Sequence, residues 1–145
     1  MLRTVVCVFL CCLAAAPAFA GDADKEGITS AMLDYAEGWY EGDAARMERC
    51  LHPDLAKRVM KVDSKSGESK LEELTAAKLV EYAKAGYGKQ TPKDKQKKEV
   101  TIFGVFGNAA TAKLEMAEWV DYMHLAKKDG KWLIVNVLWE PMPKK

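Results

Sequence analysis

Asp121 is the acid in this chain whose setting leaves most room for chemistry. It lies in Trp119-Val120-Asp121-Tyr122-Met123, the first arm of a hairpin that turns at Asp129-Gly130 and returns through Lys131 to Trp139. Asp-Gly suits a two-residue turn that needs positive φ. Such a turn predicts pairing of Lys127 with Trp132, Leu125 with Ile134, Met123 with Asn136 and Asp121 with Leu138. Because strand side chains alternate, Asp121 and Asn136 then share a face with Trp119, Met123, Leu125, Trp132 and Ile134. Tyr122, His124, Val135, Val137 and Trp139 take the other face. Both faces are largely apolar, so both are expected to be covered.

A carboxylate among aromatic and aliphatic groups is costly unless it is paired or put to use. Asp121 could serve as a general base or anchor a ligand's donor, its affinity for protons raised by desolvation. It could equally be structural, accepting hydrogen bonds from Tyr35, Tyr40 or a helix end. His52 precedes the proline of His52-Pro53-Asp54, where it either caps the preceding helix or lines a pocket mouth. His124 falls on the opposite hairpin face and fits an interface better than a base. The two histidines form no metal-ligand spacing with acids or thiols. No nucleophile elbow, Cys-His pair or glycine-rich phosphate loop occurs. No metal or cofactor is therefore expected.

The N-terminus reads as a secretory leader. Arg3 supplies one positive charge, Thr4 to Ala16 is apolar but short, and Ala18-Phe19-Ala20 fits a cleavage site before Gly21. The expected organisation is a cleaved signal peptide over 1–20 and a single domain over 21–145. A periplasmic or secreted location without a lasting membrane anchor follows. Loss of Arg3 leaves 21 basic against 21 acidic residues, a balance that argues against nucleic acid as partner. Cys50 becomes the lone cysteine and suits a small apolar core position.

The remaining elements are legible from period and punctuation. Ile28, Met32, Tyr35, Ala36 and Trp39 recur at helical spacing, and Gly42 ends that helix. Asp43 caps a second, short helix through Met47, Cys50 and Leu51, which Pro53 stops. Leu55 to Val62 reads as a weak strand and 63–67 as a turn. Ser69 with Glu72 resembles a capping box, predicting a third helix through Leu71, Leu74, Leu79 and Tyr82 that closes at Gly86 and Gly88. The lysine-rich run from Lys89 to Lys98 reads as a solvated loop, or less readily as an anion patch. Glu99 to Phe106 and Ala109 to Glu115 form a hairpin about Gly107-Asn108. The order predicts an α+β domain with helices on one face of a curved sheet.

Gly38-Trp39-Tyr40-Glu41-Gly42-Asp43, Leu51-His52-Pro53-Asp54, Trp119-Val120-Asp121-Tyr122 and Asp129 through Asn136 occur in this order. In that arrangement the chain resembles the nuclear transport factor 2-like superfamily. It is most similar to the Putative lumazine-binding branch, near the SnoaL-like polyketide cyclases and the ketosteroid isomerases. The resemblance covers roughly Ile28 to Trp139. It implies a cone-shaped domain, about three N-terminal helices packed on a strongly curved, mainly antiparallel sheet that wraps a pocket. The superfamily hosts enzymes, binding proteins and interaction domains, so fold leaves activity open.

The resemblance also turns the Trp132, Ile134 and Asn136 face inward. The outer face, apolar here, is then expected to be buried in a homodimer. Tyr35, Trp39, Trp119 and Trp132, with Met60, would wall a pocket for a small apolar or aromatic ligand, or simply fill the core. The expected ligand-binding set is Tyr35, Trp39, His52, Met60, Trp119, Asp121 and Asn136. Three functions stay open: an exported small-molecule-binding protein, an isomerase, dehydratase or cyclase with Asp121 as catalytic base, and a dimeric accessory domain without ligand. The ketosteroid isomerase arrangement of acids and tyrosine is not reproduced.

Overall fold

The computed structural model describes residues 21–143; the expected leader lies outside these residues. The first helix, α1 (Asp22–Glu41), carries Asp22 and Asp24 in its first turn, where acids oppose the positive helix end. It stops at Gly42, whose φ of 67° is left-handed and favours glycine. Asp43 then caps α2 (Ala44–Cys50), its carboxylate accepting from the Arg46 N–H at 3.0 Å. A strand, β1 (Leu51–Val62), follows without a break. It begins earlier than its apolar pattern indicates. Pro53 is tolerated because it falls where pairing with the last strand is interrupted, between Leu51 and Ala56.

The next element corrects the sequence reading. Ser69–Thr75 is a strand, β2, paired with β1 from Val62↔Ser69 to Ala56↔Thr75. The helix α3 (Ala76–Lys84) starts only afterwards, and its cap is Thr75 rather than Ser69. Local capping chemistry loses here to a ladder. Asp63 accepts from the Lys65 and Ser66 N–H groups and folds the turn, which brings seven residues into register with an otherwise open edge. Cross-strand pairs Arg58–Glu73 and Lys61–Glu72, both at 2.6 Å, are consistent with that pairing.

Two short 3-10 turns, Tyr87–Gln90 and Lys93–Lys95, lead to β3 (Glu99–Phe106), β4 (Ala109–Glu115), β5 (Trp119–Lys128) and β6 (Lys131–Pro141). Both predicted hairpin turns are present, with Gly107 at φ 56° and Asp129 and Gly130 at 51° and 79°. The sheet runs β2-β1-β6-β5-β4-β3. Among the described residues only the β1–β6 pair is parallel. The curved sheet stays open at both edges, and three helices pack against its inner face. Ile28, Met32 and Tyr35 of α1 enter a core with Leu114, Met123, Leu125, Ile134 and Val137. Each large aliphatic side chain so buried contributes about 1.5–3 kcal/mol. Cys50 joins this core, and burial pushes its thiol up to about 12, outside the range of a reactive thiolate.

The β5–β6 register differs from the expected one, and the difference decides the site. Pairing is as predicted from Lys127↔Trp132 to Leu125↔Ile134, then slips by one residue, so that His124 faces Asn136 and Asp121 faces Trp139. Val135 is the extra residue of a bulge. Because side chains alternate, one inserted residue exchanges every later position between faces. Val137 and Trp139 therefore turn inward, while Asn136 and Leu138 turn outward. Asn136 is exposed and Val137 only 2 % so. Tyr122 and His124 keep their predicted outward places.

Surface charge makes the fold acid-sensitive in a definite direction. Hydrogen bonds and charge from Lys113 and Lys97 hold the Glu115 carboxyl down at about 2, below its ordinary 4.5. Arg49 and Arg46 likewise lower Asp34. A carboxyl with a depressed folded value contributes stability above its ordinary value and loses it as pH falls through the folded one. Melting temperature is thus expected to drop between about pH 4.5 and 2, and Glu115→Gln should flatten that drop. An unchanged slope in the variant would refute the assignment.

Candidate functional site

A cavity of about 430 Å³ lies between the helices and the inner sheet face. The last two turns of α1 provide Tyr35 and Trp39, four residues apart and so on one helix face. From β1 comes Lys57, from β2 Leu74, and from α3 Leu79 and Tyr82. Tyr87 and Gln90 of the 3-10 turn close the mouth. Trp119 and Trp139 complete the wall from β5 and β6. Trp119 meets Trp39 edge-on with ring centres 5.4 Å apart, and Trp139 at 5.9 Å. Such T-shaped contacts favour a fixed wall over a collapsible one.

The floor is polar. Lys57 is 4 % exposed, and its ammonium donates to Asp121 Oδ1 and, at 2.8 Å, to the Tyr35 hydroxyl. The other Asp121 oxygen accepts from Trp119 Nε1 at 2.8 Å. Nζ also sits 5.1, 5.3 and 5.5 Å from the ring centres of Trp139, Tyr35 and Trp119, an arrangement that adds cation–π attraction on three sides. Burial pushes the Asp121 carboxyl up and the Lys57 ammonium down, while their mutual attraction pulls each back. Burial and the Asp121 charge raise the Tyr35 hydroxyl well above its ordinary value, so it remains a donor.

The structure brings together only part of the expected set. Tyr35, Trp39 and Trp119 line the cavity, and Asp121 lies directly beneath it, fully enclosed by its partners. His52, Met60 and Asn136 stand elsewhere. His52 Nδ1 accepts from the Asp54 N–H in the chain just after α2. Met60 is half exposed and pairs across strands with Leu71. Asn136 was displaced by the bulge. Trp132 is buried against Gly27 and donates to Asp24, at the far end of α1. Tyr40 does not reach Asp121 either, since it donates to the Lys97 carbonyl and accepts from the Ala117 N–H.

Lys57 is the residue that sequence reasoning missed. Its signal was present: Leu55, Lys57 and Val59 alternate, so a strand that buries Leu55 and Val59 buries Lys57 too. Trp139 was missed for a different reason, because the bulge that turns it inward has no sequence mark.

The residues from 23 to 140 match the model of the family described as Putative lumazine-binding. The chain belongs to that family. Members of the nuclear transport factor 2-like superfamily share its fold, as comparison with solved structures shows. A nuclear transport factor 2-like protein of unknown function from Shewanella baltica OS155 is 18% identical, with a TM-score of 0.68 over 86% of this chain and 98% of that one. A similar protein of unknown function from Methylobacillus flagellatus KT is 21% identical, with a TM-score of 0.62 over 86% and 96%. At such identities the likeness is one of fold. The comparison with curated proteins finds no significant match. Within this Putative lumazine-binding member, the aromatic cavity over Lys57 and Asp121 is the candidate site.

Proposed function

We propose that this family member is an exported binding protein that holds one small, flat, largely apolar molecule in the cavity. The observation that carries the reading is the cavity itself, walled by three tryptophans and three tyrosines and floored by an enclosed Lys57–Asp121 pair. A mostly apolar, aromatic-walled space with a few convergent polar groups on its floor is the usual form of a small-molecule site. Export rests on the pattern of residues 1–20. The alternative, an isomerase, dehydratase or cyclase with Asp121 as base, has less support. Both carboxylate oxygens are engaged, and Lys57 stands between Asp121 and the cavity.

The test is titration of the protein spanning 21–145 with two- and three-ring aromatics, followed by tryptophan emission. Saturable quenching with Kd of about 10–100 μM is expected, as suits a ligand of that size. Trp39→Ala should weaken binding about tenfold. Failure of every such molecule to bind would count against the reading.

Phe103, Tyr122 and Leu138 favour a homodimer through the outer sheet face. All three are more than half exposed, and Phe103 stacks on Tyr122 with ring centres 6.5 Å apart. An apolar row of this kind is stabilised by covering it. Leu138→Lys is expected to shift a sedimenting dimer to monomer, whereas Val137, a core residue, is unsuited to the purpose. Wild-type protein sedimenting as monomer at high micromolar concentration would exclude the dimer.

A further inference from the structure

We infer that the cavity selects a neutral, planar aromatic molecule bearing a carbonyl oxygen, and that Lys57 and Tyr35 receive that oxygen. The inference rests on the binding reading above and extends it to the ligand's chemistry. It follows from counting donors and acceptors on the cavity floor.

An ammonium has three N–H donors. Lys57 spends one on Asp121 and one on the Tyr35 oxygen. Among the described residues its third has no oxygen acceptor, only aromatic rings at 5.1–5.5 Å. Tyr35 accepts from Lys57, and no described residue accepts its own hydroxyl proton. In the same wall, Trp139 Nε1 is enclosed without any partner. At the floor the carboxylate acceptors are the two Asp121 oxygens, each already engaged and both beneath the cavity rather than lining it. The floor therefore offers surplus donors and is short of acceptors. Buried polar groups are ordinarily satisfied, so the missing partner is an acceptor atom. An amine or other donor ligand would find no free carboxylate oxygen on the floor, and would be left with Gln90 and the Tyr82 and Tyr87 hydroxyls of the wall and mouth.

Charge narrows the class. Asp121 already offsets Lys57, leaving the floor neutral. A ligand carboxylate would place a second buried anion beside Asp121 with one cation between them, and desolvation penalises that arrangement. A neutral carbonyl accepts two hydrogen bonds and adds no charge. The tryptophan faces around it require the rest of the molecule to be flat and apolar.

Three matched tricyclic probes test this: fluorenone, fluorene and fluorene-9-carboxylate, titrated against the protein spanning 21–145. Fluorenone is expected to bind about tenfold more tightly than fluorene, although fluorene is the more hydrophobic. It should also exceed the carboxylate. Tyr35→Phe should reduce the fluorenone preference several-fold. The double variant Lys57→Met/Asp121→Leu, which leaves no lone buried charge, should abolish it. Equal binding of fluorene and fluorenone overturns the inference while leaving an apolar binding pocket in place. Tighter binding of the carboxylate overturns the neutral-ligand claim. A fluorenone preference that survives both variants overturns the assigned residues. If none of the three probes binds, the inference falls, and the binding reading falls with it only where the other two- and three-ring aromatics fail as well.

Discussion

Lys57→Met is expected to lower the unfolding free energy by about 3–5 kcal/mol, with Asp121→Asn costing a similar amount. Each change leaves one charge of an enclosed pair without its counterpart. Water compensates little, because the Asp121 side chain is fully buried and Lys57 meets the cavity with only a small part of its surface. Coulombic gain and desolvation cost nearly cancel while the pair is intact, so removing both charges should be far milder than removing either. Lys57→Met/Asp121→Leu is therefore expected to recover most of the loss, to within about 1–2 kcal/mol of wild type. Urea unfolding of the wild type, two single variants and the double variant measures all four corners. Additive losses would show that the charges do not interact. Single variants within about 1 kcal/mol of wild type would show that water reaches the pair.

Gly88→Ala should produce the second large effect, joining stability to the site. A Cβ at Gly88 would lie 2.7 Å from the Trp39 carbonyl carbon, and closer still to its oxygen and to ring atom Cδ1. Two of these are backbone atoms of α1, which cannot move aside as a side-chain tip can. The turn Tyr87–Gln90 would have to lift off Trp39, carrying two lining residues with it. A loss of about 3 kcal/mol is expected, the upper end for overpacking, together with at least tenfold weaker binding of tricyclic aromatics. Gly104→Ala is the control. No atom lies within 4 Å of its added Cβ, so stability should change by no more than about 0.5 kcal/mol. Full binding by Gly88→Ala would mean that the turn plays no part in closing the cavity.

These two expectations draw on features of different legibility. Gly42 as a helix stop, Asp43 as a cap, and Gly107-Asn108 and Asp129-Gly130 as hairpin turns were all readable. Each depends on backbone preferences within a few residues. The α1 stripe through Ile28, Met32, Tyr35 and Trp39 was readable for a related reason, since helical spacing alone places those side chains on one face. That stripe already identified two residues of the cavity wall. Trp119 and Asp121 were also placed on the inner side, because they lie on a strand with unbroken alternation.

Tertiary structure decided what depends on partners far along the chain. Ser69 and Glu72 favoured a helix start locally, but pairing with β1 made Ser69–Thr75 a strand. The bulge at Val135 exchanged Asn136 for Val137 and Leu138 for Trp139 on the inner face. Nothing in the residues themselves marks where the ladder slips by one. The alternation of Leu55, Lys57 and Val59 did mark Lys57 as inward, but its partner did not show, since an acid 64 residues later is brought beneath it only by the sheet. The sequence by itself determined the first two helices, the hairpin turns and the existence of an apolar inner face, because those follow from short-range conformational preference and side-chain period. Which polar groups meet on that face was decided by strand register, a cooperative property of the whole sheet that no single segment carries.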